Sequence, residues 1–107
     1  MNGSLHGSAA ALFQVLSHEA RLQILDELRK DEACVCHLQT VLGRPQAYVS
    51  QQLRVLRDEG LVQDRRESTL VYYRLADARL QSLLDDVLGP PGERGCVDNC
   101  PCPHCQG

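Results

Sequence analysis

Cys34 and Cys36, separated by a single valine, are the residues of this 107-residue chain best equipped for chemistry. Thiolates are soft ligands and select soft or borderline ions: As(III), Sb(III), Cd(II), Pb(II), Cu(I) and Zn(II). Four further cysteines, Cys96, Cys100, Cys102 and Cys105, crowd the C-terminal tail in a C-x3-C-x-C-x2-C pattern, with His104 between the last two. Three thiolates suit As(III), whose lone pair occupies the fourth direction, and four suit Cd(II) or a tetrahedral Zn(II). All six cysteines are therefore candidate metal ligands. Two other uses stay open: an independent metal site within the tail, and a role for Cys34 and Cys36 as small buried hydrophobes. His37 adjoins the pair, where it reads as an accessory ligand or, more simply, as a surface residue.

No nucleophile–base pair, phosphate loop or paired carboxylates accompany the thiols, so an enzyme and an organic cofactor are not expected. The start, MNGSLHGSAA, lacks the basic region and apolar run of a secretory leader. No stretch approaches the roughly 18 apolar residues of a membrane span. The expectation is a cytoplasmic protein with no membrane partner, whose cysteines serve metal or redox chemistry rather than structural disulfides. The net charge of −3 argues at first against a nucleic-acid partner. Its distribution argues the other way: residues 44–74 hold six arginines against four acids, while the flanking segments are both acidic.

The thiols need elements to position them. Residues 1–7 read as a flexible N-terminus, 8–89 as one domain and 90–107 as a cysteine-rich tail. Ala9, Leu12, Phe13 and Leu16 fall at helical spacing. Ser17 is placed to cap a second helix that carries Leu22, Ile24, Leu25 and Leu28 and ends near Lys30–Asp31. A third helix starts around Ala33–Val35 and puts Val35, Leu38, Val41 and Leu42 inward. Gly43 stops it and Pro45 opens a fourth, where Val49, Leu53 and Leu56 form an apolar stripe and Gly60 ends the helix. Two helices joined by a turn of three or four residues form a helix-turn-helix. Residues 61–66 and 70–75 alternate as a hairpin with Glu67-Ser68-Thr69 at its turn. Val71, Tyr73 and Leu75 share one face, and Leu70, Tyr72 and Arg74 the other. Asp77 caps a fifth helix whose Leu80, Leu83, Leu84 and Val87 are expected to meet a second copy of the chain, because so small a core gains from dimerisation. The fold class is mainly α with a small β-hairpin, in the order α-α-α-α-β-β-α.

On a regular helix, side chains two apart do not face each other. Cys34 and Cys36 converge on one ion only if the helix start is irregular or distorts. A helix N-terminus also favours the thiolate. On the fourth helix, Gln46, Tyr48, Ser50, Gln51 and Arg54 supply polar reach. Gln pairs bidentately with adenine and Arg with guanine in the major groove, while Ser and Tyr more often hold phosphates. Arg65 and Arg66 on the hairpin are expected at phosphates or the minor groove.

Taken in order, LSHEARLQIL, CVCHL, YVSQQLRVLRDEGLV and RRESTLVYYRL resemble the ArsR/SmtB family of winged helix-turn-helix, metal-responsive repressors, across about Leu12 to Leu88. The resemblance implies a homodimer on double-stranded operator DNA with an inverted repeat, released when an inducer ion binds. It also implies that CVC marks a third-helix site for arsenite, antimonite, cadmium or lead. The chain departs from the family's arsenite pattern CVCxLC, because Gln39 stands where the third cysteine would be. In some relatives a terminal arm completes such a site, and the resemblance gives that role to the tail. The family's other site uses Asp and His pairs on the fifth helix. That helix holds no histidine here, so this site is expected to be absent. Two competing readings remain: a thiol redox or persulfide sensor that represses transcription, and a metal-buffering protein without specific DNA binding.

Overall fold

In the computed structural model, which describes residues 4–92, the chain runs α1 (Leu5–Leu16), α2 (Glu19–Lys30), β1 (Ala33–Cys34), α3 (Val35–Leu42), α4 (Gln46–Asp58), β2 (Val62–Glu67), β3 (Leu70–Leu75) and α5 (Ala78–Leu88). The cysteines of the tail lie outside the described residues. Ile24, Leu25 and Leu28 of α2, Leu38 of α3, and Val49, Leu53 and Leu56 of α4 meet in one core, closed by Leu61, Val62, Leu80 and Leu84. These are the positions that recur at helical spacing in the sequence, because a helix stripe must be buried against its neighbours to stabilise so short an element.

Several local expectations are corrected. α1 begins at Leu5, inside the segment expected to be frayed, because Ser4 Oγ accepts the Gly7 N–H and caps the first turn. Ser17 does not cap α2. It ends α1, its Oγ donating to the Gln14 carbonyl, and His18 occupies the N-cap of α2 without a side-chain bond. The hairpin turn is Ser68-Thr69, since Glu67 still pairs with Leu70; Ser68 takes the left-handed conformation at φ 58°.

The largest difference is at the third helix. Ala33 and Cys34 are extended and pair antiparallel with Tyr73 and Tyr72, so the sheet has three strands in the order β1-β3-β2. Only Val35 onward is helical, and Cys34 is the N-cap. The short strand is an edge whose ladder is made 38–40 residues away in sequence, and no local pattern encodes it. The sheet then has two covered faces. Ala33, Val62, Tyr73 and Leu75 pack on the helices, while Cys34, Tyr72, Cys36 and Leu70 form a second small cluster on the opposite side.

α5 is also more internal than expected. Leu80 and Leu84 fill the domain's own core, Leu83 packs partly against it, and only Val87 of the four expected dimer residues is largely exposed, at 70%. Its C-terminus is anchored by Arg29, a buried arginine on α2. Arg29 Nε donates to Asp26 Oδ1 at 2.7 Å, and Nη1 donates to Asp85 Oδ1 at 2.8 Å and to the Gly89 carbonyl at 2.6 Å. The guanidinium thus satisfies a carbonyl that the end of α5 leaves without a helical partner. We expect Arg29→Met to lower unfolding stability by about 2 kcal/mol, the size of a charge-assisted hydrogen bond left unmade. Urea denaturation should show this, while Arg79→Ala, which removes an exposed ion pair with Asp77, should leave the midpoint unchanged.

Candidate metal-ion and nucleic-acid sites

Cys34 and Cys36 face one cleft of about 340 Å³, also lined by Val35, Gln39, Gln46, Thr69, Leu70 and Val71. The helix start is irregular in the sense two converging thiols need: Cys34 is extended at φ −84° and ψ 165°, and Cys36 sits in the first turn of α3. Cys34 is buried at 2% exposure and Cys36 is partly exposed. Both thiols fit a soft ion by donor type, and both border the cleft. Among the described residues, however, no group of three His, Cys, Asp or Glu side chains gathers where an ion could sit. Gln39 lies in the cleft wall at the place of the missing third thiol. Cys96, Cys100, Cys102 and Cys105 lie outside the described residues.

His37 is not at the surface. It is 1% exposed, turned from the cleft into the interior, and its Nε2 pairs with Glu27 Oε1 at 2.9 Å. Lys30 Nζ donates to the other oxygen of Glu27 at 2.8 Å. Burial pushes the Glu27 carboxyl up, but hydrogen bonds and charge attraction from Lys30 and His37 outweigh it and hold the group below its ordinary 4.5. This tie joins α3 to α2 beneath the thiols.

The turn into α4 rests on Gly43, left-handed at φ 65°, whose N–H bonds the Gln39 carbonyl at 2.9 Å. A β-carbon would strain that backbone. The rotation of α4 is set twice. Val49, Leu53 and Leu56 are fully buried, and the buried Gln52 accepts through Oε1 from Arg21 Nε at 2.9 Å while Arg21 Nη1 donates to the Val15 carbonyl at 3.1 Å. That leaves Gln46, Ser50, Gln51 and Arg54 exposed, as the sequence pattern implies, with Tyr48 partly covered. Arg44, which sequence reasoning used only as a charge, lies 4.7 Å from the Tyr48 ring centroid. Its position in the turn before Pro45 was the available signal. Among the described residues, Arg44, Arg54 and Arg66 form no ion pair.

Arg65 differs. Its Nε and Nη2 fork onto the two oxygens of Glu32, its Nη1 donates to Glu67 Oε1 at 2.8 Å, and it lies 4.7 Å from the Tyr72 ring centroid. These carboxylates raise its pKa further. Its donors are engaged within the protein, whereas the sequence reading placed it at phosphates or the minor groove. Glu32 escaped the sequence reading because 33 residues separate it from Arg65.

Residues 18–64 match the family described as "Bacterial regulatory protein, arsR family". The solution structure of the homodimeric winged helix-turn-helix DNA-binding domain of a possible ArsR-family transcriptional regulator from Mycobacterium bovis superposes with a TM-score of 0.71 at 34% identity, covering 82% of this chain and 87% of that one. This chain belongs to the ArsR/SmtB family. The ArsR/SmtB assignment agrees with 38% identity over 78 residues to a transcriptional repressor SmtB homolog from Synechocystis, which covers 73% of this chain and 59% of that protein. The arsenical resistance operon repressor of Escherichia coli is 44% identical over 68 residues, covering 61% of this chain and 56% of that one. The chain spans about three fifths of the length of the curated relatives it matches. The winged helix-turn-helix fold class read from the sequence is the one observed, with one strand added.

The sign of the Glu27 effect sets a pH dependence. Its folded pKa is below the unfolded value, so its contribution is complete above pH 4.5 and is lost as pH falls through the lower folded value. Acid unfolding of Glu27→Gln should start from a lower neutral-pH stability and show a shallower loss below pH 4.5 than the parent. Equal slopes would show that the carboxyl is not held in this way.

Proposed function

We propose that this chain is a DNA-binding transcriptional repressor that lets go of its operator when a thiophilic ion, As(III)/Sb(III) or Cd(II)/Pb(II), binds Cys34 and Cys36. The observation that carries this reading is the composition of the thiol cleft. Its walls include Gln46, the first residue of α4, and Thr69 to Val71 at the tip of the wing. A ligand of Cys34 and Cys36 therefore lies against both elements that a winged helix-turn-helix applies to DNA. The names of the Escherichia coli and Synechocystis relatives support repression, and the first supports a response to arsenicals.

In this reading α4 enters the major groove. Gln51 and Arg54 reach base edges, Gln46 and Ser50 hold the entry, and Tyr48 carries Arg44 towards the backbone. Arg66 supplies the wing's phosphate contact. The bound ion supplies thiolate coordination, for which Cys34 and Cys36 give two ligands. One or two of Cys96, Cys100, Cys102 and Cys105 complete the set, because the described residues supply no third. The functional unit is a homodimer on an inverted repeat. Leu83 and Val87 of α5 with Phe13 and Leu22 line an apolar groove of about 240 Å³ in which Phe13 and Val87 are exposed large apolar side chains, and a second copy covers it. The dimeric Mycobacterium bovis domain supports this assembly.

The test is binding of the full-length chain to a duplex selected by it from random-sequence DNA, at fixed salt, with each ion added in turn. We expect release with at least one thiophilic ion, and loss of that response in Cys34→Ser, Cys36→Ser and a chain ending at Gly92. Arg54→Ala should cost about 1–3 kcal/mol on the selected site, and Arg66→Ala should lower the salt slope by about one. A double serine variant that still releases DNA with the same ion rules out the thiol mechanism.

A further inference from the structure

Cys34, Tyr72 and Arg65 form one row across the sheet. Cys34 opposes Tyr72 on β3, and Tyr72 opposes Arg65 on β2. Directly opposed residues point to the same face, as do residues two apart on a strand, which adds Glu67. On that face Arg65 lies over the Tyr72 ring and is forked onto Glu32, two residues before Cys34, with Glu67 on its other side. Tyr72 is fully buried and Cys34 nearly so, although both lie on the side of the sheet away from the main core. The arginine covers the Tyr72 ring beside the thiol, and Glu32 anchors it to the segment that carries Cys34.

We propose that the Glu32–Arg65 ion pair is a latch: it holds Cys34 in its buried place, and its opening passes ion occupancy to the wing. Glu32 is the positioning residue, and Arg65 acts through the wing rather than on a phosphate. The proposal rests on the reading that Cys34 is an ion ligand. A thiol at 2% exposure must gain access to share an ion with Cys36. Moving it displaces Glu32 as well. A bidentate fork tolerates little displacement, because both carboxylate oxygens must stay in line with the guanidinium N–H groups. Once it opens, β2 keeps its ladder to β3 but loses its tie to the segment before β1. The latch thus favours the ion-free arrangement, and by linkage its removal must tighten ion binding.

The experiment uses the full-length chain with Glu32→Gln, Arg65→Ala and the double variant. Cd(II) affinity is read from thiolate charge-transfer absorbance in competition with a chelator, and affinity for the selected duplex is read across a salt series. Each single variant should bind Cd(II) about two- to fivefold more tightly, the range that a partly exposed ion pair supports. The double variant should add nothing further, since both changes remove the same pair. The salt slope of Arg65→Ala should equal that of the parent. Unchanged Cd(II) affinity in the single variants overturns the latch, and so does a salt slope lowered by about one in Arg65→Ala, which would make Arg65 a phosphate contact. A parent chain that binds Cd(II) through Cys34 yet keeps its duplex overturns the proposed function, while the variants' Cd(II) affinities still decide the latch. A chain that takes no Cd(II) at Cys34 and Cys36 overturns both.

Discussion

The pairing of two residues, Ala33 and Cys34, with the central strand of the wing is the constraint on which the rest of the molecule depends. It ends α2, delays the start of α3 to Val35, and gives the wing a third strand. It also removes Cys34 from a helix, where it would point away from Cys36, and sets it beside Tyr72. A sheet edge presents unpaired backbone groups, and here the edge of β3 is covered by the segment that carries the thiol. The thiol-bearing segment and the wing are therefore joined by backbone pairing rather than by side chains alone.

α4 is held by a different set of forces. Val49, Leu53 and Leu56 give it depth, but an apolar stripe alone leaves some freedom of rotation about the helix axis. The Arg21–Gln52 hydrogen bond removes that freedom, because Arg21 is itself fixed to the Val15 carbonyl at the end of α1. Beneath α3, the His37–Glu27–Lys30 chain does the same for the helix before it. Each helix of the motif is thus referred to α2 by one polar contact as well as by packing. The polar groups are satisfied, which is the condition for burying them without loss.

Charge is distributed by the same logic. The chain is acidic overall, yet seven of the twelve acids among the described residues are engaged in ion pairs. Glu32 and Glu67 neutralise Arg65, Asp26 and Asp85 hold Arg29, and Glu27 holds Lys30 and His37. Arg44, Arg54 and Arg66, at the entry of α4, along α4 and on the wing, are left unpaired among the described residues. The positive potential of the surface is therefore set by which arginines lack carboxylates nearby and not by the sum of charges.

The sequence by itself determined the five helices, the hairpin, the turn at Gly43 and the exposed polar positions of α4. Each is a local property: the spacing of apolar residues matches a helix or strand period, and a glycine stands where the backbone must be left-handed. It also showed that Gln39 stands where the family's arsenite pattern has its third cysteine. Only the tertiary structure decided that Cys34 is extended, that His37 is internal, that Leu80 and Leu84 belong to the domain's own core, and that Arg65 is held by Glu32. All four depend on contacts between residues far apart in the chain, where neither period nor propensity carries information. His37 shows the reason most plainly: a histidine beside two thiols reads as surface or ligand until Glu27, ten residues earlier on another helix, supplies the partner that lets it be buried.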